Sequence, residues 1–370
     1  MRILHVHSGN IFGGVERILI ALAAHKKFSP DFEHAYALCF PARLARELSE
    51  TGADVFLLPA LRLSRPWEIA RTRSALRKLI NKIKFDLAIV HSAWGQIAFA
   101  RVIQAAGIPL LFWLHTKATA ETFIEKLARI WTPTRILSVS HAVDKTAPLL
   151  FPGVPSSVVH SPLALDEAAF ASANRIQTRA ALGATPDQVV ILQASRLEAW
   201  KGHHQLLDAL HQISKNRNWV CWIAGGPSNQ SESNYLKSLI EQARPFGDRI
   251  KFLGARTDVP HLLTAADIYC QPNLEGEGFS IAFMEAFFAG LPIVTSAIGG
   301  ALEIVDANSG FLVPPRDTRS LAKTLELLIN DSDQRRQLGA NGHARVQELC
   351  APERQFPKLE RVFKETIAHA

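Results

Sequence analysis

Short β-rich runs alternate with helical stretches along almost the whole chain, and this alternation limits the possible folds more than any other feature. Helical stretches fill most of the gaps between the runs. Such alternation predicts parallel sheets with helices on both faces, which is an α/β fold. The candidate strands of the first half are RILHVH from Arg2, HAYALCF from His34, DVFLLP from Asp54, DLAIVHS from Asp86, PLLFWLH from Pro109, RILSVS from Arg135 and SSVVHSP from Ser156.

The pattern stops at a polar stretch and then restarts, which predicts two domains. The boundary falls between about Pro162 and Ala184, so we expect Rossmann-like, doubly wound domains at 1–165 and 166–351, and a final amphipathic helix at 352–370. Doubly wound domains bind ligands at the carboxyl ends of their strands, so we expect a ligand in the cleft. The candidate strands of the second half are VVILQAS from Val189, WVCWIAG from Trp219, IKFLG from Ile250, IYCQPN from Ile268, PIVTS from Pro292 and GFLVPP from Gly310.

Length and composition agree with two globular domains. The chain has 370 residues, of which 48% are hydrophobic and 20% charged, and domains usually span about 100–200 residues. No apolar run approaches the roughly 20 residues that a membrane span needs, and the N-terminus is predicted to be a strand rather than a signal peptide. The scattered cysteines are expected to be reduced thiols of a cytoplasmic protein: Cys39, Cys221, Cys270 and Cys350.

The positive charge is concentrated in the first half. Residues 1–165 contain 20 Lys and Arg against 11 Asp and Glu, whereas the remainder contains 21 against 23. Nucleic acid, an anionic membrane surface or a phosphorylated ligand would each account for this excess.

The stretch EGEGFSIAFMEAFFAGLPIV places Glu277 and Glu285 eight residues apart in an otherwise apolar segment. A loop with two glycines is followed by a predicted helix, FSIAFMEAFFAG, which Gly290 and Pro292 end. The free amides of its first residues, from about Gly278 to Ile281, form an anion site. Glu285 would lie in the second turn, about 8–10 Å further along. This separation suits a sugar diphosphate, although a capping glutamate and a chance polar position would give the same pattern.

This stretch resembles the signature of the retaining nucleotide-sugar glycosyltransferases of family 4, which have the two-domain GT-B fold. The resemblance covers nearly the whole chain, strongly from Val189 to Pro315 and weakly before Pro109. Ser280 stands where many members have glycine, which we expect to be tolerated because phosphate needs only the backbone amide. The residues that match the signature are Glu277, Glu285, Gly290, Pro292, Gly299, Gly300 and Glu303.

The resemblance implies roles for further residues. Arg196 and Lys201, in ASRLEAWKGHHQLLDAL, would neutralise the leaving diphosphate, which needs fixed cations; two surface cations at a strand end are the alternative. His115, at the end of LLFWLHT, would lie beside the reacting sugar, with His91 as its rival and Ser140 at another matching position. A histidine at a strand end can also be purely structural. The implied donor-binding residues are Gly13, Gly14, Arg196, Lys201, Gly226, Gly254, Arg256, Glu277, Gly278, Phe279, Ser280, Ile281 and Glu285.

The resemblance implies a retaining glycosyltransferase that moves a sugar from a nucleotide-diphosphate sugar to a glycan or lipid-linked acceptor in cell-envelope or exopolysaccharide synthesis. A UDP-sugar is the favoured donor and GDP-mannose the next. The second domain would hold the donor, the first would bind the acceptor, and the final helix would cross back to the first domain. The alternatives are a sugar-nucleotide 2-epimerase of the same fold and a non-catalytic sugar-nucleotide-binding protein.

No metal or other cofactor is expected. Asp331-Ser332-Asp333 fits the DxD metal motif of the other major glycosyltransferase fold, but it lies between two predicted helices. We interpret it as a helix N-cap.

Residues 62–84 contain eight cations against Glu68 alone, and from Pro66 onward they are predicted to form a helix. Apolar residues at three- and four-residue spacing predict one face packed on the sheet: Trp67, Ile69, Ala70, Leu76, Leu79, Ile80 and Ile83. The cations form either a solvated face or a contact with the anionic inner face of the membrane. No nucleic-acid-binding motif accompanies them.

Overall fold

The computed structural model describes residues 1–10, 13–163, 165, 167–213, 215 and 218–369. The chain divides into two compact units. The first comprises Met1–Ala164 with Leu349–Ala370, and the second Leu165–Glu348.

The first unit is built on a parallel seven-stranded sheet within the described residues, in the order β3-β2-β1-β4-β5-β6-β7. The central strands β4 and β5 (LAIV and LLFWL) are buried at every position, as expected for a sheet covered on both faces. The strands are β1 Arg2–His7, β2 Glu33–Leu38, β3 Asp54–Leu57, β4 Leu87–Val90, β5 Leu110–Leu114, β6 Arg135–Ser138 and β7 Ser156–Val158.

Helices connect these strands, and the last helix of the chain also belongs to this unit. In the last helix, α17, Phe356 contacts Phe28 and Phe363 contacts Phe32, so the tail packs on the first unit. The helices are α1 Gly14–Ala24, α2 Arg43–Glu50, α3 Pro66–Lys82, α4 Ala93–Ala105, α5 Phe123–Ala128, α6 His141–Asp144, α7 Ala147–Leu150 and α17 Pro352–Ala368, with a 3₁₀ turn at Lys26–Phe28.

The second unit contains a six-stranded parallel sheet in its described part, in the order β10-β9-β8-β11-β12-β13. The strand order reverses between β8 and β11, and such a switch point opens a ligand crevice at the carboxyl ends of the strands. The strands are β8 Val189–Ala194, β9 Trp219–Ala224, β10 Ile250–Gly254, β11 Ile268–Gln271, β12 Ile293–Ser296 and β13 Gly310–Val313.

The helices of the second unit cover both faces of this sheet. Leu206, Leu210, Leu325 and Leu328 pack with Ile191 and Trp219 in its core. The helices are α8 Glu167–Ala171, α9 Arg175–Ala181, α10 His203–Gln212, α11 Gln230–Ala243, α12 Val259–Ala265, α13 Ile281–Phe288, α14 Ala301–Ile304, α15 Thr318–Asn330 and α16 Ser332–Cys350, with 3₁₀ turns at Ala199–Lys201 and Arg244–Arg249.

Every strand predicted from the sequence is present, which confirms the α/β fold of two parallel-sheet, Rossmann-like units. Asp331 caps α16 as predicted, since its Oδ1 accepts the Gln334 amide at 2.8 Å. The four cysteines are buried free thiols. Among the helices in the described ranges, none combines the length and the apolar composition that crossing a bilayer requires.

The predicted packing face of α3 is partly wrong. Thr72, Leu76 and Ile80 are its buried positions, whereas Trp67 is 66% exposed. Thr72 is buried because its hydroxyl donates to backbone carbonyls at both Pro59 and Glu68. The helix therefore presents an aromatic ring, together with several cations, to solvent.

Candidate functional site

The carboxyl edge of the second sheet brings Lys201 and Glu277 together. Lys201 ends the 3₁₀ turn after β8, and Glu277 lies in the loop after β11. The Lys201 Nζ atom lies 2.7 Å from Glu277 Oε1, and the two side chains are 8% and 23% exposed. The ammonium also lies 4.0 Å from the centroid of the Trp200 ring. A cation and a carboxylate are thus fixed side by side at the switch point.

Two amides hold the second oxygen of Glu277. Gln271 Nε2 and Asn273 Nδ2 each lie 3.3 Å from Glu277 Oε2, and Gln271 Nε2 also donates to Asn273 Oδ1 at 3.0 Å. The Tyr269 hydroxyl lies 3.0 Å from Gln271 Oε1, which orients that amide. Sequence reasoning missed Gln271 and Asn273. The polar run QPN at the end of an apolar strand was the signal that could have identified them.

Close backbone contacts position this loop, and glycine is required for them. The Gly300 amide donates to the Glu277 carbonyl at 2.8 Å, and a Cβ at Gly300 would lie 2.0 Å from the Gly278 carbonyl oxygen. Gly202, with φ of +77°, would place a Cβ 1.9 Å from the Pro272 carbonyl oxygen. These glycines therefore have a structural role, because they allow the segments that carry Lys201 and Glu277 to approach.

Helix α13 begins later than predicted. It starts at Ile281 with Ser280 as its N-cap, so its free amides run from Ser280 to Phe283 rather than from Gly278. Gly278 and Phe279 stay in the loop because the glycine contacts at residues 299–300 hold the backbone there. The Ser280 hydroxyl is buried and has no hydrogen-bond partner within the described residues. The predicted anion site at this helix N-terminus is thereby shifted by about two residues along the chain.

Glu285 lies in the second turn of α13 and is 6% exposed. Burial raises the pKa of the Tyr269 phenol well above its ordinary value, and the negative charges of Glu277 and Glu285 raise it further. Both carboxylates therefore act on one buried ring, as expected if they line the same crevice.

The remaining predicted donor residues of this unit have structural partners. The Arg196 side chain is 66% exposed and its NH1 lies 2.9 Å from Glu198 Oε1. Arg256 Nε donates to Asp258 at 2.7 Å. Gly226 is packed so closely on Ala255 that a Cβ would lie 2.8 Å from the Ala255 amide nitrogen, and Gly254 has φ of +67°. A ligand role for these four residues stays a prediction.

In the first unit, the glycine loop precedes α1. Gly13 is the N-cap of this helix and Gly14 its first residue, and the Gly13 amide donates to Glu16 Oε2 at 2.8 Å. The other carboxylate oxygen of Glu16 lies 3.4 Å from His7 Nε2. Glu16 thus ties the start of α1 to the end of β1.

His115 and His91, the rival sugar contacts, are hydrogen-bonded to each other. His91 Nδ1 lies 3.1 Å from His115 Nε2, and His91 Nε2 lies 3.0 Å from His5 Nδ1. His5 Nε2 in turn lies 2.8 Å from His34 Nδ1. Sequence reasoning missed His5 and His34. Ser140 is the N-cap of α6 and its hydroxyl accepts the Val143 amide at 3.2 Å.

Within the part of the chain that the structure describes, no group of three or more His, Cys, Asp or Glu side chains is arranged to hold a metal ion.

A family model described as "Glycosyl transferases group 1" matches residues 174–345, which lie within the second unit. Among curated proteins, the chain is 32% identical over 220 residues to a GDP-mannose-dependent monoacylated alpha-(1-6)-phosphatidylinositol monomannoside mannosyltransferase of Corynebacterium glutamicum, covering 55% of each chain. It is 27% identical over 280 residues to the phosphatidyl-myo-inositol mannosyltransferase of Mycolicibacterium smegmatis, covering 74% of this chain and 70% of that one. A D-inositol 3-phosphate glycosyltransferase of Saccharomonospora viridis is 30% identical over 290 residues, covering 71% and 66%.

Solved structures share the fold over the full chain. HepE of Anabaena, solved in complex with UDP, has a TM-score of 0.85 and 22% identity, covering 99% of this chain and all of that one. A glycosyltransferase from Rickettsia africae has a TM-score of 0.85 and 20% identity, covering 100% and 99%. At these identities the likeness establishes the fold alone, which is GT-B.

Proposed function

We propose that this chain, which belongs to the group 1 glycosyl transferases, moves a sugar from a nucleotide-diphosphate sugar to a glycan or lipid-linked acceptor. The observation that carries the proposal is the pair of Lys201 Nζ and Glu277 Oε1, 2.7 Å apart at the switch point of the second sheet. A cation beside a carboxylate matches a ligand that combines a diphosphate with sugar hydroxyls.

The donor would bind along the start of α13. The free amides from Ser280 to Phe283 and the ammonium of Lys201 would neutralise the diphosphate. Glu277 would orient hydroxyls of the transferred sugar, and Glu285, one to two turns further along, would bind the ribose. Arg196 would add a second cation by leaving Glu198. A UDP-sugar is favoured as donor, supported by the UDP in the HepE structures, and GDP-mannose is next, supported by the named relative that depends on it.

We propose retention at the anomeric carbon by a front-face route, as in family 4. Double displacement needs a carboxylate free to attack the anomeric carbon. Both oxygens of Glu277 are held by Lys201, Gln271 and Asn273, which suits orienting hydroxyls better than nucleophilic attack. The leaving diphosphate would accept the proton of the acceptor hydroxyl, and Lys201 would stabilise the negative charge on the departing oxygen.

The transfer would need no metal, because the Lys201 ammonium and the helix amides would neutralise the diphosphate in place of a divalent cation. Activity should therefore survive EDTA. Loss of activity on chelation, restored by Mg²⁺ or Mn²⁺, would contradict this part of the proposal.

The acceptor would be at the cytoplasmic face of a membrane, reached by a peripheral protein. Helix α3 exposes Trp67 and the cations Arg71, Arg77, Lys78 and Lys82. An amphipathic aromatic ring among cations suits the interface of an anionic leaflet, where each cation is worth about 1 kcal/mol. The relatives named for phosphatidylinositol acceptors support a lipid-linked acceptor.

The test is turnover of radiolabelled UDP-glucose, UDP-N-acetylglucosamine and GDP-mannose, with and without bacterial lipid and glycan extracts. We expect one donor to release its nucleoside diphosphate and label an extracted acceptor, and Glu277→Gln to abolish transfer while the diphosphate still binds. Conversion of the donor to its 2-epimer without acceptor would instead identify an epimerase. Binding without any turnover would identify a sugar-nucleotide-binding protein.

A further inference from the structure

Four histidines form a continuous hydrogen-bonded chain across the first sheet. They lie on or directly after four adjacent strands, in the order β2, β1, β4, β5. His34 Nδ1 lies 2.8 Å from His5 Nε2, His5 Nδ1 lies 3.0 Å from His91 Nε2, and His91 Nδ1 lies 3.1 Å from His115 Nε2. Every contact thus joins the Nδ1 of one ring to the Nε2 of the next. We call these residues the imidazole chain.

This geometry couples the tautomers of the four rings. A neutral imidazole has one N–H donor and one acceptor nitrogen. Since each contact needs one donor and one acceptor, the rings must either all have the proton on Nδ1 or all have it on Nε2. In the first state His115 presents an Nδ1–H donor at the end of the chain, and in the second state a bare Nδ1 acceptor.

Burial keeps the imidazole chain neutral. It lowers the pKa of His115 to about 3 and that of His34 to about 4, and it lowers the pKa values of His5 and His91 well below the ordinary range. Tyr36 stacks on His5 and Trp113 stacks on His115, while the His7 ring, whose own pKa burial lowers to about 4, lies edge-on to His91. A protonated ring would disrupt the chain, because an imidazolium has two donors and no acceptor.

The terminal ring nitrogens of the imidazole chain have no hydrogen-bond partner within the described residues. Within the described residues, His115 Nδ1 and His34 Nε2 are buried and have no hydrogen-bond partner. An unpaired buried polar atom costs about 1–3 kcal/mol, so a partner for His115 Nδ1 would be stabilising. Because the outer nitrogen of His34 is also buried, the chain has no exit to solvent. It is suited to orienting a proton rather than to conducting one.

We propose that His34, His5 and His91 are positioning residues that set the tautomer of His115, and thereby decide whether its Nδ1 donates to or accepts from a hydroxyl of the bound substrate. The substrate contact rests on the proposed glycosyltransferase function. The coupling of tautomers rests on the geometry alone. A bound hydroxyl can donate or accept, so the state of the chain selects one orientation of that hydroxyl.

The first test measures the tautomers directly in the ligand-free protein. With ¹⁵N-labelled histidine, protonated and bare ring nitrogens give well-separated shifts, and the variants His34→Asn, His5→Phe, His91→Phe and His115→Asn each assign one ring. We expect the four rings to be neutral at pH 7 and to share one tautomer. Mixed tautomers among them, or an imidazolium within the chain, would overturn the proposal.

The second test asks whether distant members control His115. His5→Phe breaks the chain and should change the His115 ring from one tautomer to a mixture, whereas a merely structural role would leave its ¹⁵N shifts unchanged. His34→Phe removes the end member and should shift His115 in the same way, and its half-buried position makes folding less of a risk. His34→Asn is the matched control, because an amide can donate to or accept from His5 Nε2.

Kinetic measurements separate the proposed substrate contact of His115 from the coupling of the four tautomers. His5→Phe and His34→Phe should lower kcat/KM for transfer while the Kd for the nucleoside diphosphate stays unchanged. Unchanged kcat/KM despite altered His115 shifts would overturn the substrate contact. A protein without transferase activity whose four rings still share one tautomer would contradict the proposed function and uphold the coupling.

Discussion

At the scale of single residues, Lys201 has the environment that bears most on chemistry. Its side chain is almost fully buried, and its ammonium lies against Glu277 and the Trp200 ring. Leaving one member of a buried ion pair uncompensated costs about 3–5 kcal/mol. In the proposed function, a diphosphate would bring additional negative charge to this ammonium while Glu277 keeps its contact with Lys201.

We predict that Lys201→Met lowers kcat/KM by an amount that corresponds to about 2–4 kcal/mol of activation free energy. The loss of an oxyanion donor has an effect of the same size. Arg196→Ala should have an effect of the same order if Arg196 leaves Glu198 for the diphosphate. Arg244→Met is the control, because Arg244 is an exposed cation of the same unit paired with Glu241. Steady-state kinetics measure these effects. A near-normal kcat/KM for Lys201→Met would refute the proposed role of Lys201. A near-normal kcat/KM for Arg196→Ala would show that Arg196 is a surface cation.

Gly202 supplies a second prediction at this scale. Gly202→Ala combines a positive φ with a Cβ placed 1.9 Å from the Pro272 carbonyl oxygen, so we expect a loss of about 3 kcal/mol or more in unfolding free energy. Gly52→Ala is the control, with φ of +76° and open space around its Cβ, and should cost about 1 kcal/mol. Urea unfolding measures both. Equal losses would mean that the close contact does not matter.

At the scale of elements, the sequence predicted the strands better than the helix starts. Runs such as LLFWL and WVCWIA are bounded by turn residues, and their burial follows from composition alone. The start of α13 depends on contacts between Gly299–Gly300 and the Glu277 loop, which are distant in sequence and leave no local signal. For α3, periodicity placed Trp67 on the packed face, but the buried positions of the helix begin only at Thr72.

Helix α3 carries the prediction at this scale. The protein should bind anionic vesicles at low salt and should bind neutral vesicles poorly, because the exposed face of α3 combines Trp67 with cations. Replacing Arg71, Arg77, Lys78 and Lys82 with Gln should remove most of this binding. Arg73 is left intact because its guanidinium donates to the carbonyls of Ile97 and Ala98 and so anchors α3 on α4.

Vesicle sedimentation at several salt concentrations measures this binding. The control replaces four exposed cations of the second unit with Gln, namely Lys237, Arg244, Arg319 and Lys323. The cations of α3 are only solvated if the control loses as much binding as the α3 variant. The same conclusion follows if the unaltered protein does not bind anionic vesicles.

At the scale of the whole molecule, the two parallel-sheet units carry different sets of candidate site residues. The sequence predicted Glu277, Glu285, Lys201 and His115 as individual positions. It did not predict that Lys201 pairs with Glu277 or that His91 and His115 are partners. Those relations join residues 76 and 24 positions apart, and only the sheet register brings them together.

The two units should differ in acid sensitivity. Among the described residues, burial lowers the pKa values of five histidines in the first unit, namely His5, His7, His34, His91 and His115. In the described part of the second unit, burial lowers the pKa of His203 to about 4. Their unfolded forms bind protons below about pH 6.5, so the contribution of these histidines to the unfolding free energy is constant above that pH and falls as the pH decreases toward 4. Each imidazole contributes up to about 1.4 kcal/mol per pH unit.

Hydrogen exchange with mass spectrometry at pH 7.5, 6.0 and 5.0, under mild urea, resolves the two units. We expect the first unit to lose protection at a higher pH than the second. His34→Phe should reduce by one the number of protons that the first unit takes up on unfolding, and so should weaken the pH dependence of its unfolding free energy. Equal pH dependence in both units would show that these histidines are not buried and neutral in the folded state.

The central claim is that the crevice beside Lys201 and Glu285 holds a nucleoside diphosphate, and calorimetric titration with UDP, GDP and ADP tests it most directly. We expect one of the three to bind saturably at a single site, with EDTA present. Lys201→Met and Glu285→Ala should each weaken binding at least about tenfold, a loss of about 1.4 kcal/mol, whereas Arg244→Met should leave the Kd unchanged. If none of the three binds, or if Lys201→Met and Glu285→Ala bind as tightly as the unaltered protein, the claim is wrong.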